Sequence, residues 1–129
     1  MNSARVCVHG EEGRGFAYIY SDVDEFWSVV SAILDRPAVR KDSDLHDQIS
    51  RANESIGSNM VEGFDQGTDR ASANLLCYSK GSVSEVLKRL RKVYYRGYIS
   101  ADELTARVEQ GEVAEDGLGQ PRIARIRCR

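Results

Sequence analysis

Apolar residues recur at steps of three and four through the middle of the chain. The longest series is Leu76, Ser79, Val83, Val86, Leu90, Val93 and Gly97, a heptad seam held for three repeats. It predicts a helix from about Asp69 to Arg96, with Thr68 as its N-cap and Gly97 at its stop. At about 1.5 Å per residue that helix is roughly 42 Å long and needs other helices beside it. A second series, Leu45, Ile49, Ala52, Ile56, Asn59 and Gly63, predicts a helix over about Asp44 to Phe64 whose seam ends in small or polar residues. Val23, Phe26, Trp27, Val30, Ile33 and Leu34 predict an earlier helix, opened by Ser21 or Asp22 and closed before Pro37. The charged stretch from Arg36 to Ser43 reads as a linker.

A fourth helix opens on Ser100-Ala101-Asp102-Glu103, where the serine and glutamate side chains can each bond the other residue's backbone N–H. Its apolar stripe, Leu104 and Val108, is thin and meets Gly111, so only its first three turns are predicted. Short connections between four helices predict an all-α protein, an antiparallel up-and-down four-helix bundle over residues 21–115. Outside it lie an N-terminal extension, residues 1–20, and a basic C-terminal tail, residues 116–129. Val6 and Val8 alternate with their neighbours, as do Phe16, Tyr18 and Tyr20, around the Gly-rich stretch Gly10–Gly15. That pattern fits either a hairpin or an untethered terminus, and the alternation at Ala124, Ile126 and Cys128 is open to the same two readings.

The 129 residues suit one domain with a core of its own. With 41% hydrophobic, 29% charged and 8% aromatic residues, the composition excludes collagen, low-complexity disorder and a membrane-spanning chain. The formal net charge of -2 hides an asymmetry. Residues 1–79 carry seven Lys/Arg against thirteen Asp/Glu, and residues 80–129 carry eleven against seven. The acidic whole weighs against general nucleic-acid binding, while the basic half allows a localised form of it. An odd number of cysteines (Cys7, Cys77, Cys128) cannot pair fully within one chain, which points to reduced thiols and a cytoplasmic setting.

Catalytic and metal motifs are thin. The glycines of residues 10–15 lack the Lys-Ser/Thr of a phosphate loop. Cys7-Val8-His9 has no second ligand pair at zinc spacing, and no Glu-x-x-His pair supports a di-iron centre. His46, between Asp44 and Asp47, reads as part of a capped helix start. No cofactor, metal or small-molecule substrate is therefore expected. Two groups of residues stand out instead. Arg51, Ser55, Asn59 and Glu62 share one stripe of the second helix, where polar groups are costly unless hydrogen-bonded. They read as a structural polar network that fixes helix register or faces a neighbouring subunit, or as a ligand or catalytic pocket. Lys88, Arg89, Arg91, Lys92 and Arg96 form a basic cluster interleaved with Tyr94, Tyr95 and Tyr98, and Arg122, Arg125, Arg127 and Arg129 extend it in the tail. It reads as a solvated helix face, as a surface for unpaired nucleic-acid bases, or as an aromatic contact between subunits.

Leu45, Gln48, Ile49, Arg51, Ala52, Ser55, Ile56, Asn59, Glu62, Gly63 and Phe64, at these spacings, form a specific run. It resembles the signature of the bacterial four-helix bundle family named after proteins encoded in intervening sequences of 23S ribosomal RNA genes. Lys80 to Val86 and Gly97-Tyr98-Ile99-Ser100 resemble that family's third-helix motif and the start of its fourth helix. The resemblance covers roughly residues 20–108. It implies a ring-like homopentamer of up-and-down bundles with no known enzymatic activity. Arg51, Ser55, Asn59, Glu62 and Gly63 match its motif positions, and no catalytic role is implied for them. A related branch, the accessory proteins of diversity-generating retroelements, implies partners in nucleic acid and a reverse transcriptase. This chain carries Asp65-Gln66 where the family usually has a basic residue.

Overall fold

The computed structural model of the chain describes residues 10–65 and 69–118. Five helices account for nearly all of them: α1 (Gly10–Leu34), α2 (Pro37–Lys41), α3 (Ser43–Asp65), α4 (Asp69–Tyr95) and α5 (Ala101–Leu118). No strand occurs among the described residues. The hairpin reading is corrected for residues 10–20, which form the first turns of α1. Glycines do not oblige a turn, and here the helical period starting at Val23 simply extends backward. Val6, Val8 and the alternation around Ile126 lie outside the described residues. So does Thr68.

Each long helix packs on two others: α1 on α3 and α5, and α4 on α3 and α5. The core between them is formed by Val23, Phe26, Val30 and Ile33 of α1, Leu45, Ile49, Ile56 and Met60 of α3, Leu76, Val83, Val86, Leu90 and Val93 of α4, and Ala114 and Leu118 of α5. Every apolar α4 position of the heptad series is buried. In α3 the buried line drifts from the predicted one. Asn53 and Met60 enter the core, while Ala52 and Asn59 sit half-buried at its edge. The two lines share Leu45, Ile49, Ile56 and Gly63 and differ only in where the steps of three fall, since adjacent positions about 100° apart can both border a broad buried face.

The predicted linker after Leu34 holds the short helix α2, with Pro37 in its first turn, where the missing N–H costs nothing, and Val39 fully buried. The boundary after α4 is as expected. Gly97 adopts φ +80°, and the amides of Gly97 and Tyr98 donate to the carbonyls of Tyr94 and Val93, closing the last turn. The predicted cap of α5 is formed too: Glu103 N–H donates to Ser100 Oγ at 3.1 Å and Ser100 N–H to Glu103 Oε1 at 3.4 Å.

The end of α5 is the main departure. The helix continues through Gly111 to Leu118, burying Gly111, Ala114, Gly117 and Leu118. A Cβ at Gly111 would stand 2.7 Å from Leu87 Cδ2, so the glycine leaves room for that α4 side chain against α5. Cys77 is disulfide-bonded, against the expectation of reduced thiols. Cys7 and Cys128 lie outside the described residues. No described helix is long and apolar enough to cross a membrane.

Candidate functional site: the groove between α3 and α4

The α3–α4 contact is sealed at its centre by Ser79, a fully buried polar residue whose Oγ donates to the Ile56 carbonyl at 2.6 Å. Beside this seal runs an open groove of about 710 Å³. From α3 it is lined by Gln48, Arg51, Ser55 and Asn59, and from α4 by Tyr78, Gly81, Ser82, Glu85 and Arg89. The α3 set repeats at steps of three and four, and the α4 set at steps of three, one, three and four, each next to its helix's buried seam. Three of the motif residues singled out in the sequence therefore meet here.

Ser55 is the centre of the groove's hydrogen bonding. Asn59 Nδ2 donates to its hydroxyl at 3.0 Å and to its carbonyl at 2.9 Å. Ser82 Oγ stands 3.0 Å from Ser55 Oγ and 3.1 Å from the Tyr78 carbonyl, joining the two helices. One turn further along, Arg89 ties Glu85 on its own helix (Nε to Oε1, 2.9 Å) to Gln48 across the groove (Nη1 to Oε1, 2.7 Å). Arg51 projects into the same groove and makes no ion pair among the described residues. Glu62 is exposed beyond the groove's end. Gly63 is buried, and a Cβ there would crowd Leu76 Cγ at 3.2 Å and Leu75 Cβ at 3.3 Å, so its part is to let α3 and α4 converge.

Among the described residues, neither serine hydroxyl is bonded to an imidazole or carboxylate that would activate it as a nucleophile. Among the described residues no three His, Cys, Asp or Glu side chains are grouped to hold a metal ion. Cys7 and His9 fall outside them. His46 lies at the start of α3, 3.8 Å from Asp47 and away from the groove. What the groove offers is an accessible wall of hydroxyl, carboxamide and guanidinium groups, with Tyr78 65% exposed on its rim. Tyr78 was not singled out in the sequence, and Glu85 only within the run Lys80 to Val86. Their steps of four and three from Ser82 carried the signal.

The basic cluster divides into two. Arg89 and Arg96 are committed to the fold, Arg89 as above and Arg96 through an ion pair to Asp42. Lys88, Arg91 and Lys92 are exposed and, with Tyr95, occupy one stripe at steps of three, one and three. Tyr95 is 79% exposed and its ring lies 5.6 Å from that of Tyr94. Tyr98 turns away and donates its hydroxyl to Asp42. Arg122, Arg125, Arg127 and Arg129 lie outside the described residues.

A family model described as 23S rRNA-intervening sequence protein matches residues 19–114, from the second half of α1 almost to the end of α5. No curated protein and no solved structure matches the chain significantly. The match spans the α3 motif, the groove that the motif lines and the cap of α5, and the chain belongs to the 23S rRNA-intervening sequence protein family.

Proposed function

We propose that this protein is a non-enzymatic scaffold. Its four long helices form an up-and-down bundle, and identical copies assemble into a ring, most simply the pentamer that the family resemblance implies. It acts by presenting a surface to another macromolecule, with no cofactor, no membrane and no small-molecule substrate. The observation that carries this reading is the open α3–α4 groove. It gathers Arg51, Ser55 and Asn59 on an accessible face, where Ser55 and Asn59 bond each other and Ser82. Polar motif residues left open by one protomer suit contact with a protein surface.

The mass in solution tests the assembly. Five chains of 14.4 kDa give about 70 kDa by light scattering, and a monomer at all concentrations overturns the reading. Glu62→Gln separates structure from chemistry: altered oligomer size or solubility fits the scaffold, whereas an intact assembly with lost turnover would mean catalysis.

A second reading is favoured by the exposed stripe of Lys88, Arg91, Lys92 and Tyr95. Cations interleaved with an aromatic ring suit single-stranded RNA or DNA, with Arg125, Arg127 and Arg129 of the tail as additional phosphate contacts. Binding that falls steeply with salt, and fails when Arg91 and Lys92 become Ala, is the expected result.

A further inference from the structure

A second groove, of about 320 Å³, lies between α1 and α5 and is lined by Asp22, Glu25, Ala106, Glu109, Gln110 and Val113. Its charge is of one sign. None of its three carboxylates takes part in an ion pair among the described residues, and the Glu25 carboxylate has only the Gln110 amide, at 3.5 Å. Burial first, and then the neighbouring Glu25, holds the Asp22 carboxyl above its ordinary value, as befits an acid short of a cation. The groove is also partly apolar, with Val113 53% exposed beside Ala106. The side-chain oxygen of Gln110 is buried at its wall with no donor.

The opposite inventory lies on α4. Lys88, Arg91 and Lys92 are exposed cations with no ion pair among the described residues, arranged around the protruding ring of Tyr95. One face therefore has three unpaired acids around an apolar floor, and the other three unpaired bases around an aromatic knob.

We propose that the basic stripe of α4 in one copy docks into the acidic α1–α5 groove of a second copy, with Tyr95 seated against Val113 and the lysines beside Asp22, Glu25 and Glu109. The two surfaces differ, so the contact is head-to-tail, and repetition of it closes a ring or extends a chain. Such charge complementarity fixes which faces meet and speeds their encounter. The inference rests on the scaffold reading, to which it adds the surfaces that join the copies.

The test uses the full chain and two exposed double variants, Lys88→Glu with Lys92→Glu, and Asp22→Lys with Glu25→Lys. Each alone is expected to weaken assembly at least tenfold in sedimentation. Mixed in equal amounts they are expected to re-associate into alternating open chains or even-numbered rings, because each reversed face complements only the other variant and a ring of five cannot alternate. Wild-type assembly should weaken between about 0.1 M and 1 M salt as the Debye length shrinks from about 10 Å to about 3 Å. This salt series decides the matter alone if circular dichroism shows either variant unfolded. A salt-insensitive wild-type oligomer, or folded variants that stay assembled, overturns the docking but leaves the scaffold. Variants that dissociate without reassembling on mixing also overturn it. So does a Lys88→Glu, Lys92→Glu protein that stays assembled while losing affinity for single-stranded RNA, which would assign the stripe to nucleic acid. A monomeric wild-type chain overturns both readings.

Discussion

Asp42 Oδ2 accepts hydrogen bonds from both Arg96 Nη1 and the Tyr98 hydroxyl, the latter at 2.9 Å, although these residues lie more than fifty positions away. One carboxylate oxygen thereby fastens the turn before α3 to the turn after α4. Glu103 performs a similar service at the same connection, pairing with Arg36 while it caps α5.

These two carboxylates set an acid limit. Hydrogen bonds from Arg96 and then Tyr98 hold Asp42 below its ordinary pKa, and the bond from Arg36 does the same for Glu103. A depressed carboxylate stabilises the fold above its unfolded pKa and loses that contribution as pH falls through its folded value. Resistance to urea should therefore hold near neutrality and decline below about pH 4, the unfolded range of these acids. Asp42→Asn should lower stability at pH 7 and flatten the decline. A variant with the wild-type acid profile would show that Asp42 has no part in it.

Asp22 has the opposite sign. Its raised pKa means that ionisation is disfavoured in the fold, so its contribution is present at low pH and lost as pH rises. Asp22→Asn should make the protomer slightly more resistant to urea at pH 7 and leave the acid range unchanged.

Two glycines should respond in opposite ways to added carbon. A Cβ at Gly57 would meet nothing within 4 Å, so Gly57→Ala should raise stability by about 0.5–1 kcal/mol through helix propensity alone. Gly111→Val should lower it by about 1–3 kcal/mol, since Leu87 already fills that space. Paired with Leu87→Ala, the Gly111→Val penalty should shrink, and additive losses in denaturant melts would contradict direct contact.

Gly97→Ala forces a Cβ into left-handed backbone and should cost about 1–2 kcal/mol. Thermal melts give the value. An unchanged midpoint would mean that the turn after α4 relaxes freely.

Ser79 and Asn53 are the two buried polar residues among those described. Ser79→Ala should cost about 0.5–1.5 kcal/mol, the net worth of its bond to the Ile56 carbonyl. Asn53 Nδ2 reaches the Trp27 carbonyl at 3.3 Å and Ser31 Oγ at 3.2 Å. Asn53→Asp would place a carboxylate there with no cation, so its stability should fall as pH rises through the carboxylate range. A pH-independent loss would contradict that placement.

The sequence made α4 legible because its seam stays in step over its whole length and Gly97 ends it. The α5 cap was equally plain, since Ser100 and Glu103 signal by identity and spacing. The rest of α5 was not, because three of its four buried positions, Gly111, Ala114 and Gly117, are small residues with little hydropathy signal even where they pack against another helix. The first turns of α1 were misread for a related reason: alternation of Phe16, Tyr18 and Tyr20 looks like a strand when glycines precede it. In the groove, Arg51, Ser55 and Asn59 could be placed on one stripe from spacing. That Ser82 bonds Ser55, and that Arg96 is spent on Asp42, depend on how separate helices are rotated about their axes, which no single segment records.

The last helix meets its neighbour through small residues, not through a ridge of large ones. Leu87 of α4 stands over Gly111, where an added Cβ would lie 2.7 Å from it. That fit holds α5 at one height as well as one distance, because a shift along α4 would bring Leu87 against a position that already carries a Cβ. The polar contacts at the two ends of the helix, Glu103 with Arg36 and Ser84 Oγ donating to Glu115 Oε1 at 2.9 Å, are exposed and add little to that keying.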